Sequence, residues 1–474
     1  MRVEKKLNAA GLTRCAGRFI KIALLAVFAV FCGCREPVAL ESPDAKGNYA
    51  TSFRLAEIFD RFWQAMNNNY VYWDLEPAGY WDHIYDKYMP MFESLGVLVA
   101  EESQTENVTG ANALIAFKYF EEMLAPLHDG HLVVRFAPGW FYEGSPLSIN
   151  PVFDNVKKRP TSPGSRIFFT SDWASDSSDS PNYNFWKNVI KEIYIDNDSG
   201  YDTYSLVPGY TIRAATGKIS HEESGGYFLY LYFNTFSIYE TLKKEAAYQE
   251  GNPKPLTVVM DCFKNALMDE GLRGVILDVR GNTGGMNIDI SYLLGPMLSR
   301  DIVIAYTRTK RGPAPLDYLP WAPYVVPAAP ANMRMPNITR PIVVLCNDYS
   351  ISCAELLTLA VKSMPGGYAI GTKTWGALGP RYSDENPFYT NGGSFTGSPF
   401  WTQVVQAGFQ TRGPDMKNYD GVGVLPNKTV EMSAHEIPAG KDFQLAAAIQ
   451  YLKERTPVPP ADPDTVSAFA VKQP

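Results

Sequence analysis

Residues 343–361 read VVLCNDYSISCAELLTLAV, and the succession of textures in that stretch decides the fold. A short unbroken apolar run is the pattern of a strand covered on both faces. The turn NDYS interrupts it, and ISCAELLTLAVKS (351–363) then continues as a helix. The same texture extends upstream: GYFLYLYFNTF (226–236) reads as a strand, residues 254–270 as a helix, and RGVILDVRG (273–281) as a buried strand. RDIVIAYTRTK (300–310) adds another strand. Strands alternating with helices imply an α/β domain, here over residues 226–455.

Working outward, FRLAEIFDRFWQAM and WDHIYDKYMPMFESL place their large apolar residues at helical spacing, as does TGANALIAFKYFEEMLAPL. Residues 53–126 therefore form an N-terminal helical subdomain. LVVRF after His131 alternates as a strand, and residues 137–200 are rich in Pro, Ser, Asp and aromatics, so 127–225 reads as a β-rich connecting region with no recognisable PDZ module. Residues 456–474 are a Pro-rich tail.

The first residues are an address. Arg2, Lys5, Lys6, Arg14, Arg18 and Lys21 precede or open the apolar run IALLAVFAVF, which is about half the length a bilayer span needs. Residues 1–33 read as a signal peptide, and 34–52 as a polar tether. Gly33-Cys34 after the run resembles a bacterial lipobox, which implies a lipid on Cys34 and a place in the cell envelope, on the periplasmic side or the cell surface. Removal of 1–33 takes away six Lys/Arg and one Glu and moves the formal charge from −7 to −12, unsuited to nucleic acid. Cys262, Cys346 and Cys353 remain in apolar stretches and imply buried thiols, not a disulfide framework.

Three segments bear on chemistry. A serine at a helix start has backbone N–H groups and the helix dipole aimed at any developing negative charge, so Ser350 and Ser352 are candidates. The same pattern is also a helix cap, because Glu355 three residues after Ser352 completes a capping box. LDVRGNTGG (277–285) ends a buried strand in a turn whose glycines permit close backbone approach; no GK[ST] follows, so it does not read as a phosphate loop. LHDGHLVVR (127–135) holds two of the five histidines, His128 and His131. No matching ligand cluster lies elsewhere, so a general base is favoured over a metal site.

The order helical domain, DGH, YFNTFS, LDVRGNTGG, SISCAE, GTKTWG and GVGVLPN resembles the C-terminal processing (tail-specific) serine peptidase family over residues 53–455. The resemblance implies a crotonase/ClpP-like core, a peptide or unfolded-protein substrate, and no metal or organic cofactor. It makes Ser352, three positions before Glu355, the nucleophile. In one branch a lysine serves as base, but Ala377 stands in its place, with Lys373 four residues earlier. The other branch, resembling the tricorn core, implies His131 as base. It also implies Asp420 of YDGVGVLP as the group that orients the imidazole, with Asp129 as substitute, and an oxyanion hole from the N–H groups of Gly284 and Cys353. Two departures stand out: Gly130 precedes His131 where tricorn has serine, and Asp420 stands where it has Glu. The alternative is a binding protein for peptides or lipophilic ligands on the same fold; an envelope anchoring protein is a third.

Overall fold

The structure is a computed structural model that describes residues 52–456 apart from 100–107, 143–144, 146, 148, 156–185, 197–198, 208–209, 249–250, 382–392 and 433–440. The expected signal peptide, Cys34 and nearly all of the tether lie outside the described residues, as does the tail beyond Thr456. Among the described residues no helix is long and apolar enough to cross a membrane.

The chain opens with β1 (Ser52–Arg54), α1 (Leu55–Asn69), α2 (Tyr80–Leu95), β2 (Val97–Val99) and α3 (Val108–Leu124). The three helices pack through their aromatics: Phe59 stacks on Phe92 at 4.6 Å and Phe62 meets Phe120 edge-on at 4.8 Å. Beyond the three helices, β1 and β2 pair antiparallel. Next come β3 (Val133–Phe136), β4 (Val152–Asp154), a π-helical segment (Trp186–Tyr194), β5 (Tyr201–Val207), β6 (Tyr210–His221) and β7 (Gly226–Phe233). They are followed by α4 (Ile238–Ala246), α5 (Pro255–Leu267), β8 (Leu272–Asp278), α6 (Ile288–Leu294), β9 (Ile302–Arg308) and β10 (Ala322–Val326). β11 (Ile342–Cys346), α7 (Cys353–Ser363), β12 (Gly367–Gly371), β13 (Phe395–Thr396), β14 (Trp401–Val405), β15 (Gln410–Arg412), β16 (Lys428–Thr429) and α8 (Phe443–Lys453) complete the fold.

Seven strands form the main sheet in the order β16-β12-β11-β8-β7-β6-β5. β7, β8, β11, β12 and β16 run parallel, and β5–β6 is an antiparallel hairpin at one edge. Strand β11 shows why its sequence is apolar throughout. Ile342, Val344 and Cys346 face a layer containing α5, α6 and α7, while Val343 and Leu345 face α8 and the π-helical segment. Because residues 214–221 of β6 pair along all of β7 and β5 pairs with β6 in turn, the sheet reaches back to Tyr201, before the start expected for the core. Its alternating polar residues hide that membership in the sequence.

Two smaller sheets leave the main one. β9, β10 and β15 form the first. The second, β13-β14-β3-β4, joins residues 133–136 to 401–405, and its Phe400, Trp401 and Val404 enter the core of the helical subdomain. The Trp401 ring lies 5.5 Å from Phe62, and its Nε1 donates to Ile58 O.

Candidate active site

The turn from β11 into α7 is fixed from both sides. Asn347 Oδ1 accepts from Gly281 N at 3.0 Å and Tyr349 N at 3.1 Å, tying the turn to the end of β8. Ser350 is fully buried; its Oγ donates to Val279 O at 2.7 Å and accepts from Asn347 N at 3.0 Å, which commits that hydroxyl to structure. Ser352 is half-buried and sits at φ 57°, ψ −117°, one of two non-glycine residues with positive φ among those described. Such a backbone costs about 1–3 kcal/mol and persists only where its surroundings enforce it. Glu355 Oε2 accepts from Ser352 N at 3.1 Å, so the serine also begins the helix as the capping pattern requires.

The glycine turn approaches from β8. At Gly284, φ is +85°, and a Cβ there would lie 2.6 Å from Ser352 Cβ and 3.1 Å from Cys353 N. Only glycine permits that contact. The expected donor role of Gly284, however, meets a competitor: its N–H donates to Asn282 Oδ1 at 2.8 Å. The next residue is placed differently. Gly284 O accepts from Phe236 N and Met286 N donates to Phe236 O, so the intervening Gly285 turns its own polar groups to the opposite edge. That edge faces α7, because Cys353 Sγ lies 3.0 Å from Gly285 O. The N–H groups of Gly285 and of Cys353, the latter in the first turn of α7, both lie beside the Cys353 thiol. Burial pushes the Cys353 thiol up to about 12, so it stays protonated.

Glu355, fully buried, links the serine turn to the loop after β12. Its carboxylate accepts from Thr374 Oγ1, Gly376 N and Ala377 N as well as from Ser352 N. Burial raises its pKa, and these four donors oppose that rise. Gly130 packs on the same loop: a Cβ there would stand 2.3 Å from Gly376 O and 2.6 Å from Ala377 Cβ. The DGH loop therefore lies one layer from Ser352, and a serine before His131 has no room. Ala377 is fully buried under that contact, while Lys373 is exposed.

Asp129 Oδ1 accepts from His131 N at 2.7 Å and Oδ2 from Ala407 N at 2.8 Å. Asp420 Oδ1 accepts from Leu378 N at 2.9 Å and Gly379 N at 3.2 Å, so what it holds is the loop carrying Ala377. Of the two aspartates, Asp129 contacts the histidine. Burial, reinforced by the charge of Asp129, pushes Asp420 up to about 8. His128 Nδ1 lies 3.1 Å from Glu76 Oε1, which separates it in role from His131. Among the described residues no group of three His, Cys, Asp or Glu could hold a metal. A cavity of about 430 Å³ opens beside this junction, lined by His128, Asn155, Asp348, Lys373, Trp375 and Gly421 among others.

Sequence reasoning missed Glu355 as a bridge, and Tyr70, Tyr72 and Glu76 behind the DGH loop. The alternation of Tyr70, Tyr72, Asp74 and Glu76 directly after an amphipathic helix was the available signal.

Ser352 thus opens α7 with a strained backbone beside a glycine turn, on a mixed α/β fold with a large sheet. Residues 249–412 match the model of peptidase family S41. Over 192 residues it is 28% identical to the tricorn protease of Thermoplasma acidophilum, covering 40% of this chain and 15% of that protein. It is likewise 28% identical over 192 residues to a carboxyl-terminal-processing protease of Synechocystis, covering 39% of this chain and 38% of that protein. The chain thus spans well under half the length of either relative. In fold it resembles the crystal structure of a candidate peptidase from Parabacteroides merdae, with TM-score 0.51 and 18% identity over 83% of this chain and 95% of that one.

Proposed function

We propose that the protein is a serine endopeptidase that cleaves peptide bonds through an acyl-enzyme on Ser352, with His131 as general base. The observation that carries this reading is the strained backbone of Ser352 at the start of α7, with Gly284 against its side chain. His131 removes the hydroxyl proton as the serine attacks and passes it to the leaving amine. The oxyanion is held by N–H groups of the Gly284–Gly285 turn and of Cys353; the Gly284 N–H donates to Asn282 Oδ1 and that of Gly285 lies beside the Cys353 thiol. Each such donor is worth about 3–4 kcal/mol of barrier. Asp129 holds the histidine backbone, and Asp420 acts through the Leu378–Gly379 loop. These steps need no metal or organic cofactor. The β8, β11 and β12 strands with their helices fit a crotonase/ClpP-like core.

The substrate is a peptide or unfolded protein, as the S41 match favours. The apolar run ending at Gly33-Cys34 supports a lipid anchor on Cys34 and a place in the cell envelope. A labelled fluorophosphonate tests the core of this reading: it is expected to modify the wild type and not Ser352→Ala, with unfolded casein cleaved only by the former. A folded wild type that neither labels nor cleaves would sink it and leave the peptide-binding alternative.

A further inference from the structure

The segment between α1 and α2, YVYWDLE (70–76), sends alternate residues to separate parts of the molecule. The Tyr70 hydroxyl accepts from Asp129 N at 3.2 Å and donates to Glu76 Oε1 at 3.0 Å. Tyr72 places its hydroxyl against Gly379, beside Asp420: a Cβ on that glycine would meet the oxygen at 2.0 Å. Asp74 pairs with Arg308 and Arg412 on the smaller sheet. Glu76 accepts from His128 N and faces its ring. Tyr70 and Tyr72 are fully buried, and the Glu76 side chain is 3% exposed.

We propose that Tyr70 is a positioning residue for the base: it fixes the Asp129 backbone, and through the bond from His131 N to Asp129 Oδ1 it sets where the His131 imidazole stands. The inference rests on the Ser352/His131 reading but can fail independently of it. The geometry supports it in three ways. Tyr70 is tied at both ends, to Asp129 and to Glu76, so the phenol has one orientation. Asp129 is held at three further points, by Ala407 N on one carboxylate oxygen, by His131 N on the other, and by Asn155 Nδ2 at its carbonyl. A loop restrained so completely transmits a shift at Tyr70 to residue 131 instead of absorbing it. The titratable groups packed round this loop are His128 and Asp129 within it, Tyr70, Tyr72 and Glu76 from the segment, Glu355 from α7, and Asp420.

The chain has five histidines, so the imidazole of His131 can be followed by NMR in the full chain labelled with 13C-histidine, in a Ser352→Ala background that does not depend on turnover. Tyr70→Phe is expected to shift the His131 titration midpoint by half a pH unit or more. In the active protein it is expected to reduce kcat at least tenfold with KM within twofold. Asp74→Asn, in the same segment but gripping the smaller sheet, leaves both unmoved. Glu76→Gln keeps an oxygen where Tyr70 donates, so it moves His128 alone; Glu76→Ala frees the phenol and moves His131 as Tyr70→Phe does. A His131 midpoint at its wild-type value in whichever of Tyr70→Phe and Glu76→Ala folds overturns the proposal. So does an equal shift in Asp74→Asn. Failure of the peptidase reading shows elsewhere, as absence of fluorophosphonate labelling.

Discussion

Asp420 and Glu355 are buried carboxyls that hold the same loop, residues 376–379, and their surroundings separate them. Glu355 collects four donors, whereas Asp420 has two backbone N–H groups on one oxygen and the charge of Asp129 nearby. A carboxyl raised from an ordinary value near 3.9 to about 8 binds its proton more tightly folded than unfolded. Its contribution to stability is therefore fully present below the unfolded value and is lost as pH rises toward 8. Asp420→Asn keeps an oxygen for Leu378 and Gly379 while removing the proton. Melting temperatures of wild type and variant from pH 5 to 9 should diverge, with the wild type losing ground as pH rises; parallel curves would remove the carboxyl from the account. At this scale Ser352, His131 and Gly284 were legible as chemically apt residues at turns. The use of the Gly284 N–H by Asn282 was not, because a side-chain bond two residues back leaves no mark on composition or period. Nor could the sequence tell Ser350 from Ser352 without the resemblance; burial of one and strain in the other separate them.

Between elements, the junction of β8 with α8 has the highest stakes. Arg280 is fully buried and donates to Asp278, Asp442 and Gln444, while Asp442 also caps α8 by accepting from Leu445 N at 2.9 Å. The clamp thus ties the root of the glycine turn to a helix 162 positions later. Removing one partner of a buried pair leaves a charge short of its counterpart, and a lost cap adds to that. Asp442→Ala is expected to cost about 3–5 kcal/mol. Urea denaturation would measure it, and a loss under about 1 kcal/mol would show the pair to be dispensable. The strands and helices of the main sheet were readable because layers on both faces make β11 apolar at every position. The β5–β6 hairpin was not, since an edge hairpin needs only half its residues apolar and resembles loop.

For the whole molecule, the helical subdomain and the sheet domain are not separable bodies. Phe400, Trp401, Val404 and Ala407 complete the core packed by α1, α2 and α3. A chain beginning at Leu127 would leave those aromatic faces in water, each worth about 1.5–3 kcal/mol of lost burial. It is expected to lose its near-ultraviolet circular dichroism and bind a hydrophobic dye; a native-like spectrum would show the subdomain to be an appendage. The periodic helices announced themselves in sequence, but their dependence on residues 401–405 could not, because pairing between distant strands has no local signature.

That distant pairing also orders events in time. Strand β3 follows directly on His131, and its partner β14 is made some 265 residues later, so during synthesis the serine turn emerges before the histidine loop has its full support. Local helices and the parallel units form early, and contacts of such long range close last. On the proposed mechanism, the nascent chain holds the serine turn without the strand that supports the histidine loop until residues 401–405 have been made, and cleavage of peptides would begin only after that closure.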